Sequence, residues 1–376
     1  MTVLTVNTGS SSVRLAAFAK EGESLSVLAS AHFFNGRNEP AAMLRTFLWG
    51  HGIKAVAVVA HRIVHGGERL TAPCRIDDAV ETEIERLTPL APLHNPPALK
   101  WIRACRETFG PQLPQVAVFD TGFYADLPPV PATYALPQAL CRKHGIRRYG
   151  FHGLAHEAMW RRWCELHPEC KRRGRVISLQ LGAGSSITAV HDGHAVDTSM
   201  GFTPLEGLVM ATRAGDVDPG LLLHLQRAEG LGTEQLERLL NEESGLLGLS
   251  GVSGDMRTLL ETDDADARLA VDVYCYRVRK YIGAYLAALG GADAILFGGG
   301  VGEHAPEVRE KILSGLLWMG VVLDPAANRA TIATEARISN SGSEMEAWVV
   351  PVDEAAILAQ AAATVLTETS REEAQS

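Results

Sequence analysis

No stretch of this 376-residue chain is apolar for long enough to cross a bilayer; its longest hydrophobic runs are strand-sized, against the ~20 residues a spanning helix needs. A CxxC pair is missing too. The six cysteines, Cys74, Cys105, Cys141, Cys164, Cys170 and Cys275, are scattered, as reduced thiols are in an intracellular chain. Cys164, His167 and Cys170 in CELHPEC lack a fourth ligand, so no metal is assigned there. Blocks of Lys and Arg are also absent. With 35 basic against 44 acidic residues and a net charge of −9, nothing could neutralise a run of polynucleotide phosphates, which excludes a nucleic-acid partner. The first residues, MTVLTVNTG, have neither the charged start nor the apolar core of a signal peptide. The expectation is a cytoplasmic protein with no membrane partner.

What is present describes a globular enzyme-sized chain, 46% apolar and 21% charged. Its length exceeds what one core normally supports, so two domains are expected. Strand candidates are VLTV, VRLAAF, KAVAVVAHRIV, QVAVFD, RVISLQL, SITAV, AILFGGG and EAWVV. Helical periodicity marks AVETEIERL, PPALKWIRACRETF, residues 152–166, PGLLLHLQRAE and TEQLERLL. The longest helix is predicted over residues 265–289, with Val271, Tyr274, Val278, Ile282 and Leu286 on one stripe. Such alternation argues for α/β sheets with helices on their faces.

Residues 3–14 read VLTVNTGSSSVR, two apolar runs around a turn with three serines. A plain β-hairpin accounts for the apolar runs; a turn dense in small residues and N–H groups also suits phosphate oxygens. The motif returns in GAGSSIT, residues 182–188, again after an apolar strand. Two related halves, each with one phosphate-facing hairpin, would produce this echo.

Other stretches carry charge at strand ends. HRIVHGG, residues 61–67, places Arg62 where its forked donors suit carboxylate or phosphate oxygens. In LHNPPAL, residues 93–99, Asn95 reads as an N-cap and Pro96 as the first helical residue. VFDTGFY, residues 118–124, ends a buried strand in Asp120, the usual place for a ligand-serving carboxylate in an α/β crevice. RYGFHG, residues 148–153, puts His152 at a helix start, favourable to an approaching anion. Arg213, Asp216 and Asp218 share a glycine-flanked loop in DTSMGFTPLEGLVMATRAGDVDPG, residues 197–220. FGGGVGEH, residues 297–304, adds a glycine run between the strand AILF and the helix APEVREKIL, where backbone could approach a nucleotide.

Taken together, DTSMGFTPLEGL, HRIVHGG, FDTGFY and YGFHG, with VNTGSSS near one end and VVPVDEA near the other, resemble the acetate kinase family, including its propionate and butyrate relatives. The resemblance implies two actin-like (ribonuclease H-like) domains of the superfamily that joins acetate and sugar kinases with actin and the heat-shock chaperone ATPases, with an interdomain active-site cleft. It divides the chain into 1–124 plus 356–376 and 125–355, the second domain binding nucleotide and dimerising, with the helix over 265–289 contributing to a homodimer. It implies reversible phosphoryl transfer from ATP to a small carboxylate, acetate or propionate, with Mg²⁺, or Mn²⁺ in its place, as cofactor. By the same resemblance Arg62, Asp120, His152 and Arg213 are catalytic, and Val64, Leu93, Phe151 and Pro204 line the alkyl pocket. Asn7, Ser10, Ser12, Arg14, Gln180, Gly182, Gly184, Asp255, Met256, Arg257, Gly300, Val301 and His304 bind phosphates or nucleotide, and Asn7 and Glu354 attend the metal.

The chain departs from the family pattern on the nucleotide side. QLGAGSS stands for HLGNGSS, so Gln180 replaces a histidine and Ala183 an asparagine; Arg14 replaces lysine, His304 replaces asparagine, and YGFHGLA replaces YGFHGTS. An amide still donates a hydrogen bond but cannot become cationic, and Arg keeps lysine's charge but not its geometry. The expected consequence is slower turnover or an altered phosphoryl donor rather than a new acceptor.

Overall fold

The computed structural model describes residues 1–9, 12–22, 24–34, 39–168 and 174–375. They form two compact units, Met1–Ala125 with Asp353–Ser376, and Asp126–Val352. Glu354 therefore belongs to the first unit, not to the second as the sequence suggested. The reason is local: the helix Glu354–Gln375 starts at that residue and packs along the first unit's central strands.

The first unit is built on a sheet of six strands: β1 (Thr2–Thr8), β2 (Ser12–Glu21), β3 (Ser24–Phe34), β4 (Val58–Ile63), β5 (Cys74–Arg75) and β6 (Gln115–Phe119), in the order β3-β2-β1-β4-β6-β5. β1 runs antiparallel to β2 and parallel to β4, and β4 parallel to β6. β1, β4 and β6 are buried at nearly every position, as central strands covered on both faces are. The second unit repeats the plan with β7 (Arg175–Leu181), β8 (Ser185–His191), β9 (His194–Thr198), β10 (Ala294–Gly298), β11 (Ala336–Arg337) and β12 (Glu346–Val349), in the order β11-β12-β10-β7-β8-β9. Adding six to each strand number of the first sheet gives the second, and the parallel and antiparallel pairings correspond.

The hairpin echo is thus structural, though its register is not the one the Gly-Ser-Ser alignment suggests. The first turn runs from Gly9, whose N–H donates to Ser12 O at 2.8 Å; the second is shorter, with Gly182 N–H donating to Gly184 O at 3.0 Å. Counted from the turns, Gly182 corresponds to Gly9 rather than to Asn7.

The helix Ala265–Leu289 has the predicted bounds. Asp264 caps it by accepting from Ala267 N at 2.9 Å, and Gly290 closes it in the left-handed region. Its stripe Val271, Tyr274, Val278, Ile282 and Leu286 is buried against Ile177, Leu179, Ile295 and Phe297 of its own unit. Each such side chain contributes about 1.5–3 kcal/mol. The stripe is core, while Leu269 and Tyr276 of the same helix are exposed. The helix Pro219–Ala228 behaves in the opposite way: it is rich in leucine yet buries no residue, leaving Leu221 46% and Leu223 52% exposed.

Each unit also encloses a histidine that burial keeps neutral. His61 on β4 meets Gln115 Oε1 at 2.7 Å, and burial pushes its pKa down to about 4 despite that hydrogen bond. Burial pushes His156 down to about 3. Both values lie below the unfolded value, so the unfolded chain binds more protons as pH falls below about 6.5. Stability is fully present above that pH and is lost on acidification towards the folded values. Between pH 7 and 5 each histidine should cost its unit about 2 kcal/mol. Urea unfolding of the parent and of His61→Gln at both pH values measures this; an equal loss in the two proteins would refute the assignment to His61.

Candidate active site

The parallel strands of the first unit deliver their C-terminal ends to one place. Asn7 and Arg62 lie next to the last residues of β1 and β4, Asp120 follows β6, and Glu354 opens the helix Glu354–Gln375. Arg62 forms a bidentate pair with Asp120, Nε to Oδ1 at 2.8 Å and Nη2 to Oδ2 at 2.7 Å. Its Nη1 donates to Asn7 Oδ1 and to Glu354 Oε2, each at 3.1 Å, while Asn7 Nδ2 donates to the same Glu354 oxygen at 2.6 Å. Burial opposes the guanidinium charge here, but Asp120 and then Glu354 outweigh it and hold Arg62 above its ordinary pKa. Asp120 has 0% exposure. Both of its oxygens are engaged by Arg62.

Arg14 is paired across the ladder with Asn7 and is exposed, and Ser12 opens β2. Ser10 lies outside the described residues, as does Cys170 of the CELHPEC segment. Val64 is buried just after β4, whereas Leu93 is exposed. Asn95 is not the N-cap read from the sequence. His94 holds that position and Asn95 is the first helical residue, with 0% exposure. Its side chain accepts from His65 N and donates to His65 O and Ile84 O. A buried amide with three backbone partners holds the segment after β4 to the helix Asp78–Arg86.

In the second unit His152 caps the helix Gly153–Leu166 in the left-handed region, with φ of 56°, a conformation that costs a non-glycine residue roughly 1–3 kcal/mol and is common at functional sites. A Cβ on Gly184 would fall 2.7 Å from Arg213 Nη2 and 3.2 Å from His152 Nε2. Only glycine lets the β7–β8 turn approach these two side chains so closely. Arg213 donates from Nη1 to Pro204 O at 2.6 Å and has no carboxylate partner among the described residues; burial pulls its pKa down to about 10. It remains cationic at neutral pH and leaves an uncompensated positive charge, which an anion would offset. Phe151 is buried at 1% exposure and Pro204 is partly covered.

Seven of the residues named for nucleotide, Gly182, Asp255, Met256, Arg257, Gly300, Val301 and His304, line one cavity of about 700 Å³, with Ala183, Leu246, Leu260, Glu261 and Glu307 completing much of its wall. Asp255 caps the helix Met256–Glu261 by accepting from Arg257 N at 2.8 Å. The glycine run 298–300 is not a loop before a helix: Gly299–His304 is itself helical, and Gly299 N donates to Glu303 Oε1 at 2.9 Å. Gln180 is next to the last residue of β7, beside this helix; its buried Oε1 has no hydrogen-bond partner among the described residues. Motif reading missed Ser186, His156 and Ser178, which stand in a hydrogen-bonded line behind His152.

A carboxylate-held arginine on one sheet, an uncompensated arginine beside a helix-capping histidine on the other, and a nucleotide-sized cavity define a two-domain α/β phosphotransferase. Residues 26–360 match the model of the Acetokinase family, and the chain belongs to that family. It is 50% identical over 313 residues to an acetate kinase of Chloroherpeton thalassium, covering 82% of this chain and 75% of the relative. An acetate kinase of Solibacter usitatus is 48% identical over 309 residues, 81% and 75% of the two chains. Among solved structures, a Porphyromonas gingivalis acetate kinase superposes with a TM-score of 0.87 at 38% identity, covering 97% of this chain and 99% of that one. A Francisella tularensis propionate kinase gives 0.88 at 33% identity with the same coverage.

Proposed function

We propose that the protein transfers the γ-phosphoryl group of ATP reversibly to a short-chain carboxylate, acetate foremost, giving the acyl phosphate and ADP. The observation that carries this reading is the uncompensated Arg213 beside His152 and the glycine turn, an anion-seeking centre with room at backbone level. A carboxylate nucleophile with a pKa of roughly 4–5 is already ionised at neutral pH, so the reaction needs no general base. Its barrier is one anion meeting another, and the protein's part is positioning and positive charge. Arg62, held rigid by Asp120, is assigned to the carboxylate's side of the reaction. Arg213 and His152 are assigned to the oxygens of the transferring phosphoryl group. The cavity with Asp255, Arg257 and Gly300 is assigned to the nucleoside, and Val64, Leu93, Phe151 and Pro204 to the acid's alkyl end.

Magnesium suits Asn7 and Glu354 by donor chemistry. Both offer hard oxygens, and Mg²⁺ takes few protein ligands while keeping its waters; no group of three His, Cys, Asp or Glu side chains able to hold a metal occurs among the described residues. When bound, the ion would neutralise phosphate charge. Glu354 Oε2 is already engaged by Asn7 and Arg62, which fixes the carboxylate that would meet the ion or its water shell.

Trapping the acyl phosphate with hydroxylamine, across acetate, propionate and butyrate and across ATP and other phosphoryl donors, tests the reading. Hydroxamate from acetate with ATP is expected; none from any acid would refute it. Propionate is the second reading, favoured by the likeness to a solved propionate kinase.

We further assign the protein to the cytoplasm, no described helix being long and apolar enough to cross a membrane, and to a homodimer. The exposed leucines of the helix Pro219–Ala228 support a contact between copies there. Leu221→Glu with Leu223→Glu should convert the sedimenting species from dimer to monomer at micromolar concentration with little change in melting temperature. A parent that already sediments at the 40.4 kDa monomer mass would remove the dimer.

A further inference from the structure

Behind His152 runs a line of hydrogen bonds that ends in a sulfur atom. His152 Nδ1 meets Ser186 Oγ at 2.9 Å, Ser186 Oγ meets His156 Nε2 at 2.8 Å, and His156 Nδ1 meets Ser178 Oγ at 2.8 Å. Ser178 Oγ lies 3.7 Å from Met159 Sδ. The Ser178 hydroxyl is directed at the sulfur, which can only accept, and in that arrangement its oxygen accepts from His156 Nδ1–H. A neutral imidazole carrying that proton has a bare Nε2, which accepts from the Ser186 hydroxyl. The Ser186 oxygen then accepts from His152 Nδ1–H. The directed Ser178–Met159 contact thus gives one consistent direction to every proton in the line.

We infer that Ser186 and His156 are positioning residues that lock the neutral form of His152 as the Nδ1–H tautomer, so that Nε2, the ring atom on the Gly184 side, gives a hydrogen bond to an anion only when His152 is the imidazolium. His156, Ser178 and Ser186 are all at 0% exposure, and burial keeps His156 neutral at working pH, so water cannot reset the line. Protonating His152 leaves the line intact, because Nδ1–H donates in both charge states. Arg213 is a charged side chain on the Gly184 side of the ring; Ser186 comes from β8 and His156 from the helix Gly153–Leu166. As a statement about catalysis the inference rests on the carboxylate kinase reading; as a statement about the tautomer it does not.

The test is therefore spectroscopic first. Two-bond proton–nitrogen correlation spectra of the full chain labelled with ¹⁵N-histidine, with His152→Gln used to assign the resonance, report which nitrogen of neutral His152 carries the proton. Nδ1–H is expected in the parent, with Nε2–H gaining in Ser186→Ala and in Met159→Leu, which keeps volume but removes the acceptor. Nε2–H in the parent means that the line runs the other way, and overturns the proposal whether or not the protein turns over acetate. In the assay Ser186→Ala should lower kcat roughly tenfold to a hundredfold, the loss common for a partner one shell behind a working histidine, with little change in KM for ATP, and Ser186→Thr should restore most of it. A parent-like kcat in a folded Ser186→Ala, checked by its melting curve, would equally overturn it.

Discussion

Arg62→Ala is expected to remove activity and stability together. The guanidinium donates to both oxygens of Asp120, and Asp120 is fully buried. Deleting one member of such a pair leaves a buried charge without compensation and costs about 3–5 kcal/mol. Activity should fall at least roughly a hundredfold, as when a donor to the transition state is lost. Urea unfolding and steady-state kinetics on the same preparation measure both. The double variant Arg62→Ala with Asp120→Asn should recover part of the stability and none of the activity, since it removes the stranded charge without replacing the cation. A single variant as stable as the parent would show that Asp120 has found another partner.

Arg213→Ala should separate the two effects. This arginine has a carbonyl, Pro204 O, and no carboxylate among its described partners, so removing it strands no buried charge. Desolvation already works against it, and the variant should melt within a few degrees of the parent or above it. Its kcat should nevertheless drop by roughly a hundredfold or more, about 3 kcal/mol, while KM for ATP changes little, because the lost interaction is stronger in the transition state than in the ground state. Turnover within a few-fold of the parent would withdraw Arg213 from the reaction.

How far the sequence could be read follows from the range over which each signal acts. Apolar runs such as VLTV and RVISLQL are local, and so is the 3.6-residue period; the helix Ala265–Leu289 needed nothing but its stripe, Asp264 and Gly290. β3 was not expected. SLSVLASAHFF is an edge strand rich in serine and alanine with exposed Val27 and Leu28, and its weak alternation gains meaning only beside β2. The helix Glu354–Gln375 was missed as well, its alanines being neutral as to face. At the site, the long motifs name side chains but not their company. That Arg62 is held by Asp120 and Glu354, or that Ser186 joins His152 to His156, depends on which strands become neighbours, and no local pattern carries that. Asn95 is the instructive error: Asn before Pro is a sound N-cap signal, overridden because three buried backbone groups of the segment after β4 and the neighbouring helix needed an amide.

The matching strand order has a historical reading. Val6 pairs with His61 in the first sheet and Leu179 with Phe297 in the second, so Gly298 occupies in the second copy the station that Arg62 holds in the first. A Cβ there would meet Met159 Sδ at 2.5 Å, on the helix that begins at His152, just as Arg62 meets the helix that begins at Glu354. An ancestral half, doubled, would have given two identical sockets at the foot of two identical helices. They no longer match: one socket is filled by a long cation facing a carboxylate, the other holds no side chain and is closed over by Met159 and Val352. One repeated scaffold thus carries a charged pair at one station and a tight apolar contact at its counterpart.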